Sequence, residues 1–351
     1  MKKHVALIFG GEGYERRISE KSAENLASII DESLYDILYV GITEYGAWYI
    51  YNGSKDKIKN GSWHLDESLL IPTYPVKLGK DSGFITKDGI IAVCCAIPCL
   101  HGDFGEDGII QGALSCAHIS YIGQDVYASA VTSDKIYTKL ISEHLEIPTA
   151  KWIFEVSDDP KAAKSRAEIK LNYPMFLKPS RLGSSYGANP VYRSENFEVA
   201  YAEAKKYGDS ILIEELVPFE YELECALFDN GKRRFSPGGR VISDGKFYDY
   251  NSKYDKVLSP ITEAYSGKDS DIEARITEYS QRVADFIGLK HLARIDFFIT
   301  ENKEIYFNEI NVFPGMTSTS LYPKLTEDMG LEKGSFINLL IKEVCSDDRR
   351  I

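Results

Sequence analysis

Three side chains in two short runs have the types and spacing to hold a divalent cation. LARIDFFIT and EIYFNEINV are rich in β-branched and aromatic residues and are separated by polar turn residues, so they read as a hairpin. A two-residue loop at Asn302 and Lys303 sets Asp296 opposite Glu309 and Arg294 opposite Asn311, all on one face. Two carboxylates directly opposite one another repel, so their presence calls for a compensating cation. Asp, Glu and Asn offer only hard oxygen donors, which suit Mg²⁺ completed by phosphate oxygens better than zinc. The plainer alternative is a solvated sheet face. The segment VFPGMTSTS after Asn311 weighs against it, because a Pro-Gly turn followed by small hydroxyl residues offers N–H and O–H groups to an oxyanion or carboxylate beside a metal.

Other runs carry compatible chemistry. In MFLKPSRLGSSYG, Lys178 ends a strand before a loop with Gly183, Ser184, Ser185 and Gly187, whose backbone can approach phosphate closely, although no Walker A motif is present. FGGEGYERRIS invites a dinucleotide reading, but Arg16 stands where the third glycine belongs, which leaves Glu15 as a carboxylate able to pair a substrate ammonium. His101, in LHGDFGEDG, falls at the end of a buried strand, where open α/β sheets place ligands. Lys135, in TSDKIYTK, begins a helix. Each has an ordinary reading alone: a surface turn, a surface glutamate, a structural histidine, a solvated lysine.

Elements must bring these groups together, and 351 residues exceed one core, so two or three domains are expected. HVALIF and YDILYVGI read as strands around a helix entered at Ser19, with Ala23, Leu26, Ala27 and Ile30 on one face. IIAVCCAIP reads as a single buried strand and IIQGALSCA as a helix, giving a βαβ-like parallel sheet over 1–128. A second unit over 129–210 starts with a helix capped by Ser133 and running to His144, then strands KWIFEV and MFLKP around a helix near 159–171. The third, 211–351, holds ILIEEL, the period-2 stretch YELECALF, a long loop at about 238–267 and a helix over 272–287 closed by Gly288. With 41 basic residues against 53 acidic, the net charge of −12 opposes nucleic-acid binding. The apolar run after Met1 is too short for a signal sequence, and no run is long enough to span a bilayer, so a cytoplasmic protein is expected. The six cysteines read as buried reduced thiols, without a zinc-knuckle spacing.

Taken in order, FGGxxxERxxS, LHGxxGEDGxxQG, SDK, KPSRxGSSxG, FYDYxxKY, ARIDFF and NEINVFPGMTSTSLYP resemble the D-alanine:D-alanine ligase family of the ATP-grasp superfamily across almost the whole chain. The resemblance implies an N-terminal α/β domain and two α+β domains enclosing ATP. It implies Mg²⁺, with Mn²⁺ as a substitute, on Asp296, Glu309 and Asn311, and ATP phosphates on Lys135, Lys178 and the loop at Ser185. Glu214, Glu215 and Val217 would form the adenine hinge and Glu222 would meet the ribose. Glu15, with His101 nearby, would hold the first D-alanine's ammonium, and Ser184 and Tyr254 would tie Glu15 to a lid around 247–258. Arg294 would stabilise the acyl phosphate and the tetrahedral intermediate, while Lys253, Gly315, Ser320 and Leu321 would meet the second substrate. A homodimer making D-alanyl-D-alanine for peptidoglycan is the implied assembly and product.

The sequence departs from the family at Arg17, where an acidic residue is usual, at Val312 and Phe313 before the Pro-Gly turn, and by one extra residue near Pro218. Tyr254, where lactate-type ligases tend to carry His, argues against a depsipeptide product, and Leu321, where resistance-type ligases often carry a basic residue, favours D-alanine as acceptor. The region ITEYGAWYIYNGSKDKIKNGSW is similar to certain D-serine ligases, so a D-alanine:D-serine ligase is the alternative, and a non-catalytic ATP-grasp sensor is a third reading.

Overall fold

The computed structural model describes residues 2–242 and 261–346. Lys253, Tyr254 and the lid expected at 247–258 lie outside the described residues, and the ends of the long loop expected at about 238–267 are strands, Gly239–Ile242 and Ile261–Ala264.

The first sheet has the order β4-β3-β2-β1-β8, from β1 (Lys3–Gly10), β2 (Tyr35–Ile42), β3 (Trp48–Tyr51), β4 (Leu70–Pro72) and β8 (Cys95–Pro98). Only β2-β1-β8 are parallel, whereas β3 and β4 add as antiparallel strands, so the sheet is mixed where a parallel one was expected. IIAVCCAIP is also two strands. Its first half is β7 (Gly89–Ala92), which joins β5 (Pro75–Leu78) and β6 (Asp81–Thr86) in a separate small sheet, and its second half is β8. An apolar run gives no sign of a break inside it, although only Ile90 and Ile91 of β7 are part-buried while β8 is buried throughout.

Helix α1 (Arg16–Ile29) begins one turn earlier than expected. Ser19 is no cap: its Oγ accepts from Gly10 N (2.9 Å) and donates to Cys99 O (2.5 Å), bridging the ends of β1 and β8. α2 (Lys55–Asn60) and α3 (Ile109–Cys116) complete this region. The helix expected from Ser133 to His144 is α5 (Lys135–His144), capped not by Ser133 but by Asp134, which accepts from Ile136 N; Ser133 instead ends a separate helix, α4 (Val126–Ser133).

The second antiparallel sheet, β11-β10-β12-β9, comprises β9 (Trp152–Glu155), β10 (Met175–Pro179), β11 (Asn189–Val191) and β12 (Ile211–Glu215), backed by α6 (Pro160–Lys170) and α7 (Phe197–Ala204). The third has the order β16-β15-β13-β17-β18. It contains β13 (Phe219–Asp229), β14 (Arg233–Phe235) paired to β13, β15 (Gly239–Ile242), β16 (Ile261–Ala264), β17 (His291–Thr300) and β18 (Ile305–Asn311). α8 (Ser270–Ile287) covers its apolar face and ends at Gly288 in the left-handed conformation.

α9 (Leu321–Asp328) and α10 (Ser335–Ser346) do not pack with the third sheet alone. Phe336, Ile337, Leu340 and Ile341 share one core cluster with Val5, Leu7, Phe9 and Leu26. Cys94 and Cys345, 251 residues apart, form a disulfide across this contact, which corrects the all-thiol reading; Cys95, Cys99, Cys116 and Cys225 are free. No local pattern reveals a partner that distant.

At the end of β1, Gly10 has φ +96, and an added Cβ would lie 2.1 Å from Ile42 O. Gly10→Ala therefore combines a left-handed backbone with a clash against fixed main chain, and a stability loss of about 2 kcal/mol or more is expected. Circular-dichroism melting checks this; an unchanged Tm would contradict it.

Candidate active site

The charged face of the third sheet is wider than two strands. In β17 and β18, Arg294 pairs with Asn311 and Asp296 with Glu309, the expected opposition. The route there differs. The register shifts after Asp296, so that Phe297 pairs with Phe307, leaving Asn308 as an extra residue in β18. The turn accordingly holds three residues, Glu301 to Lys303, closed by Thr300 N to Glu304 O (3.0 Å), with Lys303 at φ 61. One longer turn and one bulge cancel.

On the other side of β17, Glu224 of β13 pairs with Asp296 and Glu222 with Phe298. Glu224, Asp296 and Glu309 thus form a row across three strands. Arg294 answers it: Nε and Nη2 donate to the two Asp296 oxygens (2.8 and 2.7 Å), and Nε lies 2.9 Å from Glu224 Oε2. Burial disfavours its charge, but Asp296 and then Glu224 outweigh this and raise its pKa well above the ordinary value. Asn311 Nδ2 also donates to Asp296 Oδ2 (2.9 Å), which turns the Asn311 carbonyl oxygen away from that bond. Glu224 escaped the sequence reading, although the period-2 alternation of YELECALF places it on the same face as Glu222.

Opposite this face stand the lysines. Lys135 Nζ lies 3.4 Å from Glu309 Oε2 and donates to Leu182 O (3.0 Å). Lys178 Nζ pairs with Glu214 Oε2 (2.7 Å), and Glu214 also pairs with Lys139, a buried lysine with no place in the sequence reading. Burial would raise the Glu214 pKa, yet Lys139 and then Lys178 overcome this and bring it down to about 2. Glu215 points elsewhere, accepting from Asn172 N (2.8 Å) and Nδ2 (2.9 Å). Leu216 N donates to Pro174 O, and Val217 O accepts from Phe219 N. The register against β17 shifts between Phe219 and Tyr221, close to Pro218.

The N-terminal domain closes the third side. Ser184 Oγ donates to Glu15 Oε1, and Ser184 and Ser185 hold φ 51 and 60, so the loop after Lys178 turns its backbone sharply against Glu15. Tyr14, Tyr186 and Tyr207 gather beside this contact, with ring centroids 4.9 to 6.3 Å apart. His101 is buried, and both ring nitrogens are engaged: Nδ1–H donates to Phe313 O (3.1 Å) and Nε2 accepts from Ser22 Oγ (3.2 Å). Burial lowers its pKa to about 4, so it is neutral at pH 7. Glu106, also unforeseen, accepts from Gly102 N (2.9 Å) and Phe313 N (3.1 Å). Burial, and then the nearby charge of Glu15, push it up to about 8. Together His101 and Glu106 grip the turn that follows Asn311. Farther along that turn, Ser320 Oγ accepts from Thr317 N (3.0 Å) and would crowd a Cβ on Gly315 at 2.9 Å, while Leu321 packs on Gly239.

The departures do not reach this face. Arg17 pairs with Glu20 and donates to Lys59 O (2.9 Å), toward α2, and Val312 and Phe313 are buried in two different cores. The donor set fits Mg²⁺ in kind: two carboxylates and an amide oxygen, all hard, with lysines opposite to receive phosphate. Among the described residues the one cluster of His, Cys, Asp or Glu with metal-ligand spacing is Cys94, Cys95 and Cys345, two of which are joined as a disulfide.

Two family profiles match the chain, one described as D-ala D-ala ligase N-terminus over residues 4–124 and one as D-ala D-ala ligase C-terminus over 141–342. A D-alanine–D-alanine ligase of Clostridium acetobutylicum is 34% identical over 351 residues, covering 99% of each chain. Among solved structures, the VanG D-Ala:D-Ser ligase of Enterococcus faecalis superposes with a TM-score of 0.87 at 32% identity, covering 98% of this chain and 100% of its own. The D-alanine-D-alanine ligase of Coxiella burnetii gives 0.85 at 26%, covering 98% and 94%.

The neutral His101 makes stability depend on pH. Its folded pKa of about 4 lies below the ordinary 6.5, so its contribution is full above 6.5 and is lost as pH falls toward 4. Over that window the loss is on the order of 3 kcal/mol. Denaturant unfolding of wild type and His101→Gln should converge as the pH is lowered; a pH-independent difference would refute the assignment.

Proposed function

The chain belongs to the D-alanine:D-alanine ligase family, and from that premise we propose that it activates one D-alanine with ATP as an acyl phosphate and joins it to a second. The observation that carries this reading is the meeting of three separately built groups: the Glu224-Asp296-Glu309 row with Arg294, the lysines Lys135 and Lys178, and Glu15 held by Ser184.

In the first step a carboxylate oxygen of D-alanine takes the terminal phosphoryl group and ADP leaves. In the second, the amine of the other substrate attacks the acyl carbon and phosphate departs. When bound, Mg²⁺ draws charge off the transferring group, and Asp296, Glu309 and Asn311 are the residues that would hold it. Lys135 and Lys178 would bind the polyphosphate, with Ser185 in the loop beside it. Glu214 to Val217 would border the adenine, with Glu222 at the ribose. Glu15 would receive the first substrate's ammonium. Arg294, rigidly paired and permanently charged, would face the negative charge that develops on the tetrahedral carbon's oxygen. Gly315, Ser320 and Leu321 would border the second substrate, joined by Lys253, while Tyr254 with Ser184 would tie Glu15 to the lid, which would exclude water from the acyl phosphate. The reading places the reaction in the cytoplasm, where ATP is abundant, and expects a homodimer. No helix among the described residues is long and apolar enough to cross a membrane.

Likeness to the VanG ligase favours a second reading, in which D-serine is the acceptor. An equimolar mixture of D-alanine and D-serine, scored by product mass, separates the two; D-alanyl-D-alanine should dominate, and a dominant mixed product would transfer the assignment.

Phosphate release in ATP, Mg²⁺ and D-alanine tests the class itself. Release should depend on D-alanine, and Glu309→Gln should lower it roughly a hundredfold or more without lowering Tm. Absence of D-amino-acid-dependent release would sink the ligase reading and leave the sensor.

A further inference from the structure

Lys139 is among the largest fully buried side chains, at 1% exposure. It sits one helical turn after Lys135 on the same side of α5, deeper in the protein. Its Nζ pairs with Glu214 Oε1 and donates to Thr149 Oγ1 (2.7 Å), whose hydroxyl in turn donates to Phe307 O of β18 (3.2 Å). Glu214's second oxygen belongs to Lys178, whose side chain is 12% exposed and faces the lysine side of the site. One buried carboxylate therefore holds two ammonium groups, one locked and one at the edge.

Lys178 is the group expected to bind ATP phosphate, and it cannot serve phosphate fully while it is Glu214's sole counter-ion. A buried carboxylate stripped of its cation is strongly destabilised, so a lone Lys178 would be retained by Glu214. A second, immobile cation removes that conflict. We propose that Lys139 is a positioning residue, the permanent counter-ion of Glu214 that releases Lys178 to the nucleotide while keeping Glu214 at the adenine hinge. This inference rests on the ligase reading, from which the role of Lys178 comes. Lys139 itself touches no substrate; its anchorage by Thr149 also ties the hinge to β18, the strand that carries Glu309 and Asn311.

The test is a double-mutant cycle read by nucleotide binding and by kinetics. Lys139→Met keeps the length and apolar stem but removes the charge. It should weaken ATP binding and raise the KM for ATP at least tenfold, with the KM for D-alanine within twofold of wild type. Adding Glu214→Gln to Lys139→Met removes the carboxylate that captures Lys178, so the double variant should bind ATP more tightly than Lys139→Met alone. Equal losses for ATP and D-alanine, or a double variant weaker than the single, would overturn the proposal in favour of a purely structural lysine. Should Lys139→Met not fold, Thr149→Val removes only the hydroxyl anchor of Nζ; a rise in the KM for ATP alone supports the proposal, and unchanged ATP kinetics defeats it. Wild-type protein that binds ATP but shows no D-alanine-dependent turnover would instead fault the ligase reading, independently of this cycle.

Discussion

A row of carboxylates on adjacent strands is tolerable only if cations are built in beside it. Glu224, Asp296 and Glu309 lie side by side in β13, β17 and β18, and each would repel the next at cross-strand distance. Arg294 bridges the first two, and Lys135 reaches the third from another element. The face is thus balanced by charge that comes from two directions, and the lysine side has to be placed by α5 and β10 as carefully as the strands themselves. The capping of α5 by Asp134, the Glu214 pairing of Lys178 and the grip of His101 and Glu106 on the turn after Asn311 all serve that placement.

Much of this face was legible because hairpin pairing is local. The opposition of Asp296 to Glu309 follows from alternation near the turn, and it survived an error in loop length because the bulge at Asn308 compensated for it. Ordered motifs conveyed Lys178, Ser184 and Glu15, whose contacts the fold supplies across large separations. Glu224, Glu106 and Lys139 were overlooked for a common reason. Their importance lies in partners far away in sequence: Arg294, Phe313 and Glu214. A lysine in an amphipathic helix looks solvated until the strand that buries it is known. The same limit hid the Cys94 pairing with Cys345 and the split of IIAVCCAIP between two sheets. Ser19 and Ser133 were mistaken for caps because a hydroxyl near a helix start has several uses; Ser19 spends its bonds on two strand ends, and Asp134 outcompetes its neighbour.

The unusual residues are explained by direction. Arg17 leaves the site on the far face of α1, where Glu20 receives it and Trp63 Nε1 donates to the same carboxylate (2.9 Å). Phe313 contributes its main chain to the site, through His101 and Glu106, while its ring fills a core. At Phe313 only the backbone faces His101 and Glu106, so its side chain is left to serve the core.

The packing of α10 into the core of the first sheet has a consequence for how the protein is made. Val5, Leu7 and Leu26 leave the ribosome long before Phe336, Leu340 and Ile341, which cover them. The strands that carry them keep an open apolar seam until α10 has been made, since a unit that could otherwise fold as it appears lacks this cover. Folding in order of synthesis therefore cannot finish sheet by sheet, because α10 seals β1 and α1.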